Sequence, residues 1–363
     1  MPTPPTPVSA EVPRGGRPPK APKLTPAIAE ARSAVRVVLG SWCDDLAGEG
    51  ASADVLVGLS GGADSLALAL ATAFEAHQLG LRAGAVIVDH GLQEGSEAVA
   101  ANAAAKAREF GLHPVLIRRV VVGAEGGPEA AARDARYAAF AEAVRETGAR
   151  GVLLGHTLDD QAETVLLGLA RGSGAASLSG MAPESVDAVG TRFARPFLGL
   201  RRADTEQCCA DSHVEFWNDP HNDDPSYRRV RVRAKVLPKL EAEIGPGVAE
   251  ALARTAEQLR EDDEAFQQMI DEFIEEIVEP AEAGIAVSVG ALEANPAALR
   301  QRIIRYVVRS EFGVSLSRSH TLAVASLVTD WHGQKALHLP GIRVVREGKW
   351  IVFSSADSES ASE

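Results

Sequence analysis

Short apolar runs at residues 54–59, 85–88, 115–117 and 152–154 recur through the first half of the chain, each of a length that suits a buried strand. Between them, residues 63–79, 96–110, 128–147 and 159–170 repeat apolar positions every three or four residues, which predicts helices with one buried face. A further helix is predicted ahead of the first strand over 27–46, where Ile28, Ala31, Val35, Val38 and Leu39 recur at helical spacing. Strands alternating with helices predict an α/β fold: a parallel sheet with helices on both faces, and ligands at the carboxyl ends of the strands.

After Arg202 the pattern changes. Residues 203–213 read as a helix, and 217–225 are rich in Asn, Asp and Pro, the composition of a loop. Helical periodicity returns at 248–278, 291–312 and 319–329, with Pro296 early in the second of these. Alternating runs at 336–339, 342–346 and 350–353 predict a small terminal sheet. The expected organisation is a disordered Pro-rich basic arm (1–26), an α/β domain (27–215), a basic linker (216–245), a smaller mainly helical domain (246–353) and a disordered tail (354–363). Nine of the twenty prolines lie between Pro2 and Pro26, among Arg14, Arg17, Lys20 and Lys23, a composition that cannot build a core.

Composition narrows the possibilities. A chain of 363 residues with 45% hydrophobic content has room for two cores. No apolar run approaches the roughly 20 residues needed to cross a bilayer, and the start lacks a basic-then-apolar signal pattern, so a soluble, cytoplasmic protein is expected. Cys43, Cys208 and Cys209 form no Cys-x-x-Cys pair for a metal or a redox disulfide. A net charge of −13 argues against an indiscriminate nucleic-acid coat while leaving room for a local basic stripe.

Chemistry concentrates at two strand ends. The first strand runs into Ser60-Gly61-Gly62-Ala63-Asp64-Ser65, a small-residue turn that opens a helix. Free N–H groups in such a turn, the positive helix terminus and the serine hydroxyls together suit a phosphate. The lysine of the Gly-x-x-x-x-Gly-Lys loop is absent, as is Gly-x-Gly-x-x-Gly spacing. The fourth strand delivers His156-Thr157-Leu158-Asp159-Asp160-Gln161-Ala162-Glu163. Helix capping by Thr157 and Asp160 accounts for one or two of these acids; three acids beside a histidine exceed what a cap requires. Further on, Arg228, Arg229, Arg231, Arg233, Lys235 and Lys239 fall in one stretch without an acid, a stripe suited to RNA phosphates, and Arg192, Arg195, Arg201 and Arg202 extend it. Trp217 is placed either to stack a base or to fill a buried hinge.

Ser60 to Ser65 resembles the pyrophosphate loop of the ATP-pyrophosphatase superfamily, which shares an adenine nucleotide alpha-hydrolase-like fold. His156 to Thr164, with Asp89-His90-Gly91-Leu92, Arg133 to Tyr137, Arg195-Pro196-Phe197 and Trp217-Asn218-Asp219-Pro220 in order, resembles the tRNA(Ile)-lysidine synthase family. One departure is Thr157, where the family often carries a second histidine. The resemblance implies a PP-loop ATP-binding catalytic domain over 27–215 and a tRNA-binding domain over 246–353. It further implies ligation of L-lysine to C2 of the wobble cytidine of the CAU-anticodon isoleucine tRNA through an adenylated intermediate.

The roles it implies fall on particular residues. Ser60, Gly61, Gly62, Ala63, Asp64 and Ser65 bind ATP, and Asp64 holds Mg²⁺. Arg136, His156, Asp160 and Glu163 are catalytic, and Asp159, Asp160 and Glu163 receive lysine. Arg195, Arg228, Arg229, Arg231, Arg233 and Lys235 contact tRNA. A homodimer is the candidate assembly. The rival readings are a 2-thiocytidine-type tRNA sulfurtransferase, which would want paired cysteines, and a non-catalytic tRNA-binding module.

Overall fold

The computed structural model describes residues 23–43, 50–91, 95–123, 127–172, 174–282 and 284–356. Most of the expected N-terminal arm and C-terminal tail lies outside these residues. The chain divides into two compact units, one running through Gln258 and one from Leu259 onward, and the division falls within a single helix.

The first unit begins with α1 (Pro26–Cys43) and then alternates: β1 (Val55–Gly58), α2 (Ala63–Gln78), β2 (Ala83–Asp89), α3 (Ser96–Glu109), β3 (Val115–Arg119), α4 (Pro128–Thr147), β4 (Gly151–Leu153), α5 (Leu158–Ala170). It continues through a short α6 (Ala175–Leu178), β5 (Glu184–Val186), β6 (Arg192–Ala194), α7 (Arg202–Asp211), α8 (Arg228–Arg231), α9 (Leu237–Ile244) and the start of α10 (Val248–Ile277). The sheet order is β3-β2-β1-β4-β6-β5, parallel throughout except for the terminal β5–β6 hairpin. Val57 pairs with Ala85 on one side and Leu153 on the other, so β1 is central and buried on both faces. That is why it reads as an unbroken apolar run.

Helices cover both faces, as expected. Ile28, Val35 and Leu39 of α1 share one core with Leu66 and Ala67 of α2, Ala103 of α3 and Cys208 and Cys209 of α7. On the opposite face Phe140 and Ala143 of α4 pack on Leu56, Val152 and Phe193. Burying an aromatic side chain such as Phe193 contributes about 2–3 kcal/mol. Chain order reverses between β1 and β4, so the loops leaving these two strands flank the crevice where α/β sheets bind ligands. The hairpin strands β5 and β6 were not predicted; at three residues each they carry no period.

The second unit contains the remainder of α10, then β7 (Val278–Ala281), β8 (Gly284–Ser288), α11 (Val289–Ala294), α12 (Ala297–Phe312), α13 (Arg318–Thr329), β9 (Leu337–Leu339), β10 (Ile342–Glu347) and β11 (Trp350–Ser355). Its antiparallel sheet has the order β7-β8-β11-β10-β9, with Val344 opposite Phe353 and Ile351 opposite Val287. Those side chains pack against Ile303, Val307 and Val324 of α12 and α13. The expected small sheet is therefore larger, with five strands, because β7 and β8 form a hairpin that the sequence pattern did not reveal. The helix expected over 291–312 is broken at Asn295–Pro296, since Pro296 begins a new helix and Ser288 caps the preceding one through the Ala291 N–H.

Candidate active site

β1 ends at Gly58 and the chain turns through Leu59 and Ser60 into α2. Gly61 has φ +89°, a conformation that L side chains rarely adopt. Ser65 Oγ accepts the Ser60 N–H at 3.1 Å and donates to the Gly62 carbonyl at 3.0 Å, which knits the turn to the first turn of the helix. Among the described residues the N–H groups of Gly61, Ala63 and Asp64 donate to no backbone acceptor outside the helix ladder. These are the orphan donors of a helix start, available to an anion. A Cβ on Gly155 would lie 3.0 Å from the Asp64 backbone, so the end of β4 approaches the phosphate loop as closely as glycine permits.

A cavity of about 380 Å³ opens beside this turn. Ser60, Asp64 and Ser65 line one part, and Asp89, His90 and Gly91 follow from the end of β2. Arg136 and Tyr137 of α4, Gly155 and His156 after β4, and Trp217 and Asp219 complete the polar lining. The Trp217 N–H donates to the Gly61 carbonyl at 3.0 Å, tying the Asn/Asp-rich segment to the loop. Tyr137 is braced by Phe193, 4.8 Å between ring centroids, and its hydroxyl accepts from Arg133 and Arg195.

Arg136 makes no hydrogen bond or ion pair with the described residues. Burial lowers its pKa, and Arg133 and Arg229 add to the cost of its charge, while Tyr137 opposes it. An unpaired guanidinium on a cavity wall seeks an anion. The Nδ1 atoms of His90 and His156 are buried without a hydrogen-bond partner among the described residues. Burial, with Arg195, Arg136 and Arg133 nearby, pushes the His156 imidazole down to about 3 despite Asp160, so the ring is neutral at neutral pH.

Behind Asp64 the acids form a network with arginines. Asp64 Oδ1 accepts from Thr205 Oγ1, and Oδ2 accepts from Arg202 Nε at 3.3 Å. Burial raises the Asp64 pKa against the pull of Arg202 and Thr205. Asp160 caps α5 by accepting the Thr157 N–H at 2.8 Å, and its other oxygen accepts from Arg202 Nη2 at 3.0 Å and Arg233 Nη2 at 3.4 Å. Burial pushes the Asp160 carboxyl up; Arg202, the Thr157 N–H and Arg233 outweigh it and hold the group below its usual range. Glu163 has no exposed surface and takes a fork from Arg233, at 2.6 and 3.1 Å. Burial pushes its pKa up, and the Arg233 fork opposes that shift. Asp159 turns to Arg201 Nη1 at 3.1 Å and the Arg202 N–H at 2.8 Å.

Residues 41–240 match the PP-loop domain family, and residues 288–351 match the TilS substrate binding domain. A tRNA(Ile)-lysidine synthase of Leifsonia xyli subsp. xyli is 65% identical over 300 residues, 82% of this chain and 89% of that protein. One from Thermobifida fusca is 46% identical over 334 residues, 92% of this chain and 98% of its own length. The chain belongs to the tRNA(Ile)-lysidine synthase family. A solved structure, the U34-tRNA thiolase NcsA from Methanococcus maripaludis with its [4Fe-4S] cluster, superposes with a TM-score of 0.53 at 20% identity. It covers 65% of this chain and 80% of that one, a likeness of fold.

Within this lysidine-synthase framework the expected residues separate into two groups. Ser60, Asp64, Ser65, Arg136 and His156 share the cavity, with Gly61, Gly62 and Ala63 shaping its loop. Asp159, Asp160 and Glu163 do not line it; arginines hold all three. The basic stripe divides as well. Arg228 and Lys235 are exposed, whereas Arg229 donates to Thr164 at 3.0 Å, Arg231 donates to the Pro225 and Ser226 carbonyls, and Arg233 holds Glu163. Arg195, expected on an RNA surface, is 6% exposed; its guanidinium donates to the Ala182 carbonyl, Ser185 Oγ and Tyr137. It braces the β5–β6 hairpin against α4. Arg202 and Thr205 were not assigned to the site from sequence, because their partner Asp64 lies about 140 positions away and no spacing rule connects them.

A magnesium ion takes oxygen donors. Among the described residues no three His, Cys, Asp or Glu side chains converge as a cage. Three carboxylates line the cavity, Asp64, Asp89 and Asp219, and one of them, Asp64, suffices for an ion bound largely by substrate phosphates.

Proposed function

We propose that the chain ligates L-lysine to C2 of the wobble cytidine in the isoleucine tRNA with a CAU anticodon, consuming ATP and releasing pyrophosphate and AMP. The observation that carries this reading is the cavity whose walls pair an open phosphate loop with Arg136, a guanidinium that has no partner among the described residues. In the first step the cytidine O2 attacks the α-phosphate and pyrophosphate leaves. The loop N–H groups and the Ser60 hydroxyl hold the leaving phosphates, Ser65 keeps the loop in shape, and Arg136 meets charge developing on the transferred phosphoryl group. Mg²⁺ held by Asp64 and the phosphates would supply further charge neutralisation.

In the second step the lysine amine attacks C2, loses a proton, and the C2–O bond breaks as AMP departs. Asp160 and Glu163 are the acceptors for that ammonium and its proton once their arginines give way. His156, neutral and with a ring nitrogen that has no partner among the described residues, hydrogen-bonds the reacting groups without adding charge. The exposed Arg228 and Lys235 contact the RNA backbone. The proposed site of action is the cytoplasm, and no helix among the described residues is long and apolar enough to cross a membrane.

Sulfur transfer is disfavoured by the cysteines themselves. Burial pushes the Cys208 and Cys209 thiols up to about 11 and about 12, so neither is a ready thiolate. The direct test supplies ATP, Mg²⁺, labelled lysine and the CAU-anticodon isoleucine tRNA to the folded protein. Label is expected in the tRNA, and an unlabelled tRNA defeats the assignment.

A further inference from the structure

One guanidinium joins the two halves of the site. Arg202 is the first residue of α7, and its N–H is fixed by Asp159 at 2.8 Å. Its side chain reaches two carboxylates on different helices: Nε meets Asp64 Oδ2 at 3.3 Å beside the phosphate loop, and Nη2 meets Asp160 Oδ1 at 3.0 Å at the start of α5. Asp160 shares the same oxygen with Arg233, which forks onto Glu163. An unbroken ionic chain therefore runs Asp64–Arg202–Asp160–Arg233–Glu163. At its nucleotide end Asp64 lines the cavity; at its other end the acids meant for an ammonium are occupied by arginine.

Resting on the ligase reading above, we propose that Arg202 is a positioning residue that couples ATP binding to lysine binding. A single positive charge held between two anions responds to any third anion placed on one side. Polyphosphate in the cavity adds negative charge on the Asp64 side and draws the guanidinium that way. Asp160 then loses part of its counter-charge, and its attraction for an incoming ammonium rises. Without nucleotide, Arg202 neutralises Asp160 and the lysine site is weak. The coupling is reciprocal, so lysine tightens the nucleotide by the same factor.

The test is calorimetric titration of lysine into the whole protein, with and without Mg²⁺ and an ATP analogue carrying a methylene group between the α and β phosphates. In the unaltered protein the analogue should tighten lysine binding by about tenfold. In Arg202→Met, lysine should bind without the analogue about as tightly as it binds the unaltered protein with it, and the analogue should change little. A residue that merely stabilised the fold would not produce that gain. Arg202→Lys, whose point charge cannot span both carboxylates, should show a reduced coupling, and it carries the test if the methionine variant melts below the assay temperature. Lysine affinity indifferent to the analogue in the unaltered protein, an unchanged ratio in both variants, or weakened lysine binding by Arg202→Met would each overturn the proposal. An unaltered protein that binds neither ligand would instead overturn the ligase reading on which it rests.

Discussion

Arg136 and His156 line one cavity under opposite electrostatic demands. Arg136, without a partner among the described residues, keeps its charge at a desolvation cost that an anionic ligand would offset. Arg136→Met should therefore lower the rate of pyrophosphate release by about 10²-fold, with little change in thermal stability. An unchanged rate in a stopped-flow pyrophosphate assay would remove the residue from the chemistry. His156 is held neutral to about pH 3, whereas in the unfolded chain it titrates near its usual 6.5. Between these values the unfolded state binds the extra proton, so this residue's contribution to stability falls as pH drops from 6.5 toward 3. His156→Asn should flatten the fall in urea-derived stability over that window by up to about 1.4 kcal/mol per pH unit. Parallel curves would show that the imidazole is not buried neutral. His156 stood out in the sequence beside the acids after the fourth strand, whereas Arg136 was singled out only through the family resemblance of its segment.

At the scale of elements, α5 and the helical segment beginning at α8 are joined by Glu163 and Arg233. Residues 232–236 between α8 and α9 form a π-turn, a widened register in which Arg233 is carried toward α5. Arg233→Met takes the hydrogen-bonded fork from a fully buried carboxylate, leaving it only the more distant Arg229 at 3.9 Å, and should destabilise the protein by about 3 kcal/mol, read as a lower denaturation midpoint. Pairing it with Glu163→Gln should recover much of that loss, and a double variant as unstable as the single one would show that the ion pair is not the cause. This network was not legible beforehand. Sequence spacing brings out neighbours on one helix face, and Asp160 and Glu163 were found that way; Arg202 and Arg233 come from 42 and 70 positions further on. The main strands were legible because burial on both faces makes them continuous apolar runs. β7, with Glu279 and Pro280 in four residues, resembles no such run and was read as the end of a helix and a loop.

Across the whole molecule, an acidic chain must still recruit RNA. Only part of the basic stripe is free to do so: Arg228 and Lys235 are exposed, while Arg229, Arg231 and Arg233 have partners within the protein. Neutralising Arg228 and Lys235 together should weaken tRNA binding and reduce the slope of log affinity against log salt by roughly 0.7–0.9 per lost phosphate contact. Arg195→Met should leave that slope unchanged and lower stability instead, since its guanidinium serves the β5–β6 hairpin. A changed slope for Arg195 alone would return it to the RNA surface. The α/β architecture and the phosphate loop were legible in the chain. Which arginines remain available to a partner was not, because charge composition does not distinguish a solvated side chain from one already bound to a carboxylate.

In the proposed reaction the cavity beside Ser60–Ser65 activates a tRNA base by transferring AMP to it before lysine arrives. Protein incubated with Mg²⁺, the CAU-anticodon isoleucine tRNA and ATP labelled at its α-phosphate, with lysine withheld, tests this most directly. The account predicts that the tRNA becomes labelled and that added lysine then chases the label off as AMP. A tRNA that never acquires the label, or label that lysine does not displace, would contradict it.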